Sequence, residues 1–419
     1  MIFVGDEGTD FLTSANIITK HKFPLMLHET SQTGVQLGPF FYYFQAIPLW
    51  IGNFNPVAPA IMTSLLGLLS VLLIYLLGKK LISKEVGLIS AALFAFSPLI
   101  IISTRIPIHV APYPFFLLIY ILALKSKNII ALCFLLLILI QIHLSAFLLI
   151  PITLIVTKNK KFLLIVCLFM LTALLLAPNT VFSLFSLSVK KIISIVTLKD
   201  LYITPVSYFL EIFQKLFSYE SIIIGILFIP FLFIGLISLV KKPNFSSKIL
   251  ITWFMLSLFG LLIKNSPAEH YFNLITPVLF LITAIGLSKY KKSALILLVI
   301  FSFSNLFFLL KRDYYMNTAN NNSKYNYGPA LSKRIEISKY IVNQADGKPF
   351  NIKVIGDFDI YPSTTKNYEY LAFWLKGKPK SGGEVVKYII YEPKAFAKHY
   401  PAEGVRKEFE NAVVEYRPD

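Results

Sequence analysis

Apolar runs close to 20 residues long recur between about residue 57 and residue 311, each ended by a short polar break. A run of that length crosses the ~30 Å hydrocarbon core of a bilayer as a helix. The pattern predicts spans near 57–78, 85–104, 110–125, 128–142, 143–157, 161–178, 221–240, 247–264, 270–288 and 292–311. The strict alternation of a β-barrel is absent, and helices are the other way to satisfy a backbone in lipid. The expected fold class is an all-α polytopic membrane protein, a helical bundle of about ten to eleven spans.

Other segments break this pattern. Residues 37–52 (LGPFFYYFQAIPLWIG) are apolar but short and carry Pro39 and Pro48. They predict a helix lying on the membrane surface, with Tyr42, Tyr43 and Trp50 at headgroup level. Residues 8–20 read as helical, and the long 179–220 loop is amphipathic enough to hold another surface helix. Residues 312–330 form a polar linker rich in Asn and Tyr. Beyond it the composition becomes that of a water-soluble protein: ISKYIVNQA predicts a helix, FNIKVIG and VVKYIIYEP predict strands. The expected organisation is a membrane domain over 1–311, the linker 312–330, and a small C-terminal α/β domain over 331–419. A unit of that size has a marginal core, so it is expected to dock on the membrane part.

Charge adds orientation. The chain is 56% hydrophobic with a net charge of +18 and a mean hydropathy of +0.68. The lysines gather in short loops at 79–84, 125–127, 158–161, 241–248 and 289–292, alternating with loops of other character. That is the positive-inside signal, not a groove for nucleic acid. The Lys-rich loops are then cytoplasmic, and residues 1–56, the alternate loops and everything after 312 are extracytoplasmic. Cys133 and Cys167 sit in apolar runs and read as packing residues.

This sidedness sorts the rare residues. Residues 1–311 hold nine acids: Asp6, Glu7, Asp10, Glu29, Glu85, Asp200, Glu211, Glu220 and Glu269. All but Glu85 map outside, with Arg105 and with His21, His28, His109, His143 and His270. A transporter places such groups at the midplane instead. Carboxylates are costly near lipid, so the adjacent pair Asp6-Glu7 asks for a chemical role, although acids also favour helix starts. Arg105 offers a planar, permanently charged fork for phosphate, or a plain interfacial anchor. Lys264 can help neutralise phosphate or simply mark a span end. His109, His143 and His270 can bond phosphate or sugar, or be satisfied interfacial histidines; their spacing matches no metal motif. Glu269 can pair with His270 or Lys264 or bind sugar, and Gln141 and Tyr271 are weaker members of the set.

The order GDEGTD at 5–10, FPL at 23–25, TS at 30–31 and LGPFFYYF at 37–44 resembles the GT-C class of integral-membrane glycosyltransferases, the protein O-mannosyltransferase and aminoarabinose-transferase relatives. STR at 103–105, QIHLSA at 141–146 and EHYFNLITPVLF at 269–280 extend the likeness over about residues 1–311. The resemblance implies a glycosyltransferase that takes a sugar from a polyprenyl-phosphate carrier at the outer membrane face. The acceptor is then a lipid, glycan or protein. It implies Asp6 as the base that deprotonates the acceptor hydroxyl, with Glu7 orienting or binding the acceptor. Partial desolvation at the bilayer surface would raise the base's pKa toward usefulness. The same resemblance implies inversion by a single displacement. It names no certain cofactor and leaves a divalent cation open. Two departures stand out. Some relatives carry a Lys before the Pro where this chain has Gly38-Pro39. The family also has a transmembrane helix before the acid pair, where only MIFV precedes Gly5, so the natural chain is expected to extend upstream of Met1. A lipid-linked glycan polymerase or ligase, and a flippase, are the rival readings.

Overall fold

The computed structural model describes residue 3 and residues 5–27, 36–159, 161–163, 165–166, 186, 206–219, 221–263, 269–311, 330–356, 363–379 and 386–417. The chain opens with helices α1 (Gly5–Lys20) and α2 (Phe40–Ile51). It continues through α3 (Val57–Leu81), α4 (Lys84–Ala95), α5 (Pro98–Ser103), α6 (Tyr113–Ser126), α7 (Ile129–Ile142) and α8 (Leu149–Thr157). After the gap come α9 (Val206–Phe217), α10 (Ile222–Leu227), α11 (Ile229–Lys241), α12 (Phe245–Ile263), α13 (Thr276–Leu287) and α14 (Lys291–Lys311). Four stretches, Val57–Leu81, Ile222–Lys241, Phe245–Leu262 and Lys291–Lys311, are long and apolar enough to cross a membrane. At 1.5 Å per residue α3 alone is ~37 Å long, and the chain is an integral membrane protein. Most of the span expected at 161–178 lies outside the described residues.

Local chemistry sets the helix ends. Ser83 caps α4 by accepting from the Val86 N–H at 3.2 Å. Glu85 follows in the first turn, where the helix dipole favours an acid. That explains the one acid among the Lys-rich loops. Pro98 ends the α4 ladder and starts α5. The Ser97 hydroxyl beside the break donates to the Leu216 carbonyl at 2.7 Å.

Glycines let helices touch. A Cβ on Gly78 of α3 would sit 2.7 Å from Gly87 Cα on α4, and one on Gly286 of α13 would sit 1.9 Å from the Phe231 carbonyl of α11. Small residues at such crossings allow close van der Waals packing, the main force between helices in lipid. The Lys-rich loops meet at one end of the bundle: Lys80 Nζ donates to Ser126 Oγ (3.0 Å) and Lys125 Nζ to Ser246 Oγ (2.8 Å).

One expectation is corrected. Tyr42 is buried with Leu27, Leu37 and Phe41 rather than at headgroup level. Its neighbours Ile47, Trp50 and Ile51 carry the exposed apolar face of α2. A helix does form within the 179–220 stretch, α9, with Leu210 and Glu211 exposed. Its Phe213, Leu216 and Phe217 are buried in the main core, where Phe217 rings meet Phe228 and Phe280.

The C-terminal part holds α15 (Leu331–Ala345), β1 (Pro349–Gly356), α16 (Lys366–Trp374), β2 (Lys378–Pro379), β3 (Val386–Glu392), β4 (Val405–Glu408) and β5 (Val413–Arg417). The sheet order is β2-β1-β3-β5-β4. β1 runs parallel to β2 and β3, and β5 antiparallel to β3 and β4. β3 is buried on both faces. Tyr388 and Ile390 pack under α15 and α16, while Ile389 and Tyr391 pack with Ala397 and Val413. Period-2 alternation with both faces covered gives its continuous apolar run.

This part docks on α1. Cβ atoms on Gly5 and Gly8 would lie 2.1 Å from the Ser363 carbonyl and 2.2 Å from the Asn367 nitrogen. Phe3, Phe11 and Ala15 form one buried cluster with Leu49, Leu331, Tyr370 and Leu371. Buried Arg334 donates to the Phe3 carbonyl and pairs with Glu392 at 2.5 Å, which also accepts from the Tyr368 hydroxyl. Glu392 and the Tyr368 phenol hold the Arg334 guanidinium charged, with its pKa raised in spite of burial.

Gly8→Val should force α1 off α16 and speed amide hydrogen exchange across residues 5–20, with α13 exchange unchanged. Arg334→Met leaves the Glu392 carboxylate without its cation. A loss of about 3–5 kcal/mol is expected, read as a lower thermal midpoint of the purified protein, with recovery when Glu392 is also made Gln.

Candidate active site

α1 presents its acids in its first turns. Asp6 is exposed, whereas Glu7 and Asp10 are each 1% exposed. The burial expected for the base therefore falls on its neighbours. Glu7, Asp10 and Ser14 are spaced i, i+3 and i+7, so they share one face of the helix. Ser14 is fully buried and donates to Gln45 Oε1 on α2 at 3.0 Å. Gln45 Nε2 in turn donates to the Pro107 carbonyl at 3.2 Å. Pro107 lies two residues from Arg105 and from His109. A chain of hydrogen bonds thus ties the acid-bearing helix to the loop that carries Arg105. Arg105 is half-buried there, and the His109 ring meets Phe41 of α2 edge-on at 6.4 Å.

Gln141 also has a defined task. Its Oε1 accepts from the Phe40 N–H that opens α2, at 3.2 Å, while its Nε2 donates to the Leu137 carbonyl. A Cβ on Gly38 would come 2.4 Å from Gln141 Cγ. Gly38 is thus required by this contact, and Gln141 positions α2.

Beside it, the chain turn at 143–145 and the short 3₁₀ segment Glu269–Leu274 bring aromatic and imidazole rings together. His143 lies 5.3 Å from His270 and 4.6 Å from Tyr271, centroid to centroid, both edge-on. The Ser145 N–H donates to His143 Nδ1 at 3.1 Å, so Nδ1 accepts and the neutral ring carries its proton on Nε2. Ser145 Oγ lies 2.8 Å from the same Nδ1 and 3.2 Å from the Tyr113 hydroxyl. Two of the three sequence-predicted histidines, with Tyr271, thus form one cluster. His109 stands on the α2 side of it, and Leu144 bridges, packed against the Phe41 cluster. His21 is exposed just past the end of α1. Lys264, His28 and the side chain of Glu269 lie outside the described residues. Among the described residues, no three His, Cys, Asp or Glu groups come within reach of one metal ion.

Sequence reasoning passed over Gln45, Ser14, Ser145 and Tyr113. Gln45 had a signal, being the one amide side chain within FFYYFQAIPLWI. Following the helices from the lysine end places 105–113, 141–145 and 269–274 at the opposite end, with α1 and α2. That end combines carboxylates, a guanidinium and imidazoles on connected supports. It can accept a proton from a hydroxyl and stabilise an anionic leaving group.

No protein-family model matches the sequence, and no curated protein matches it. Solved structures do match in shape. ArnT from Cupriavidus metallidurans in the apo state aligns with a TM-score of 0.62 at 11% identity, over 99% of this chain and 94% of that one. The same enzyme bound to undecaprenyl phosphate gives 0.61 at 12% identity and the same coverage. The archaeal oligosaccharyltransferase AglB from Archaeoglobus fulgidus, in complex with an inhibitory peptide and a dolichol-phosphate, gives 0.53 at 12% identity over 95% of this chain and 67% of that one. The chain shares its fold with ArnT and with AglB.

Proposed function

We propose that this protein is a glycosyltransferase that moves a sugar from a polyprenyl-phosphate carrier to a lipid, glycan or protein acceptor. The observation that carries the reading is the hydrogen-bonded link from α1 through Ser14 and Gln45 to the Arg105 loop, in a fold shared with proteins bound to undecaprenyl phosphate and dolichol-phosphate.

In this reading Asp6, exposed in the first turn of α1, takes the acceptor hydroxyl's proton. Buried Glu7 orients that acid. Arg105 and Lys264 stabilise the phosphate as the carbon–oxygen bond to the sugar breaks, since a guanidinium holds phosphate through paired, charge-assisted hydrogen bonds. His109, His143 and His270, with Tyr271 and Glu269, contact phosphate or sugar. The membrane part over 1–311 carries about ten to eleven spans. The lysine ends face the cytoplasm and the site faces outward, with the 331–419 unit on the same outer side.

Asp6→Asn should lower transfer about 10²–10⁴-fold, the usual worth of a positioned base, in membranes supplied with polyprenyl-phosphate sugar. Full activity of that variant removes Asp6 from the mechanism. For the topology, a Cys placed at exposed Lys376 in a Cys-free background should react with a membrane-impermeant maleimide from outside the cell, and one at Lys80 only after lysis. The reverse pattern inverts the sidedness.

A further inference from the structure

The far end of the bundle carries a feature that sugar transfer does not use. A groove of about 550 Å³ opens between α11 and α12. Leu239, Val240 and Ile251 form its apolar wall, and Ser247, Lys248 and Thr252 line the same groove. Val240 is 66% exposed on the outside of the bundle and Ile251 is half-buried, while Leu239 closes the groove from the core side. The connection at the groove's end supplies exposed Lys241 and Lys242. The neighbouring α6–α7 turn adds Lys125 and Lys127, whose ammonium groups stand 5.4 and 4.8 Å from the centre of the Phe245 ring.

Five cations thus surround one hairpin, and none of them pairs with a carboxylate among the described residues. Lys125 makes one side-chain hydrogen bond, to the neutral Ser246 hydroxyl. Like charges so close repel, and an anion relieves that repulsion. A free phosphate would leave the apolar wall unused, and a zwitterionic lipid brings its own cation. An anionic phospholipid answers both halves of the groove. Basic pockets between membrane helices select such headgroups.

We propose that the α11–α12 hairpin binds one anionic phospholipid, its phosphate among Lys241, Lys242 and Lys248 and an acyl chain along Val240 and Ile251. This site stands apart from the transfer reading and survives its failure.

The test uses the whole purified protein in detergent, titrated with phosphatidylglycerol and with phosphatidylcholine and read by native mass spectrometry. Phosphatidylglycerol should be retained, and K241Q/K242Q/K248Q should weaken its binding about tenfold or more, given the worth of each surface lysine. K289Q/K291Q/K292Q, which removes equal charge from another loop, should leave binding within about twofold. Equal retention of phosphatidylcholine, equal loss in both triple variants, or no loss in the first overturns the proposal. Displacement of the lipid by millimolar glycerol phosphate also overturns it, because the wall would then contribute nothing. The thermal midpoint without lipid shows that each variant is folded.

Discussion

The distance between α1 and the start of α16 governs the acid-bearing end of this protein. It is fixed by the absence of two side chains. At Gly5 and Gly8 the backbone of α1 lies against Ser363, Lys366 and Asn367 with no room for a Cβ. Overpacking such a contact costs typically about 1–3 kcal/mol, and here the obstructing atoms are backbone, which cannot rotate away. The two glycines flank Asp6 and Glu7. The acids are therefore oriented by the residues around them: glycine toward the sheet-bearing part, Ser14 toward Gln45 and the membrane helices. Arg334 adds a third hold by spending one donor on the Phe3 carbonyl.

Polar chemistry is divided between the two ends of the bundle. At one end lysines lie in loops and meet hydroxyls and rings. At the other the charged and imidazole groups sit on turns and helix ends that are bonded to one another. The buried Glu7 and Asp10 are expensive by any transfer scale, whereas each exposed lysine costs little. Expense of that kind is expected where geometry has to be precise, and it falls on the α1 face that carries Ser14 and its link to Gln45.

Much of the membrane part was legible because apolar length is a strong signal. The stretches from α3 to α8 and α10 to α14 fall on predicted segments, and ISKYIVNQA, FNIKVIG and VVKYIIYEP form the helix and strands their patterns required. Tertiary facts were not legible. Tyr42 and Tyr43 are adjacent aromatics, and only the register of α2 against Leu27 and Leu37 decides which is buried. α9 has an amphipathic pattern that fits a membrane surface equally well. Its place in the core depends on Phe228, Phe280 and Phe301, distant in sequence. Within the site, residue type pointed to His143 and His270, whose meeting the fold supplies. Ser145 and Gln45 act through hydrogen bonds that sequence spacing does not encode. α16 and its contact with Gly8 left no trace in the hydrophobic pattern, since a glycine in a helix reads as a weakness until its neighbour is known.

The docking of α1 on α16 also imposes an order on biosynthesis. About 360 residues separate Gly8 from Asn367, so α1 leaves the ribosome long before its packing partner exists. At 5–20 residues per second the interval is roughly 20 to 70 s. Throughout it Phe3, Phe11 and Ala15 have no α16 to cover them, and the acids lack their final orientation. This end can lock only after the helices between have been made and the sheet has closed. A chain truncated before residue 363 would keep its membrane helices and lose the grip on α1.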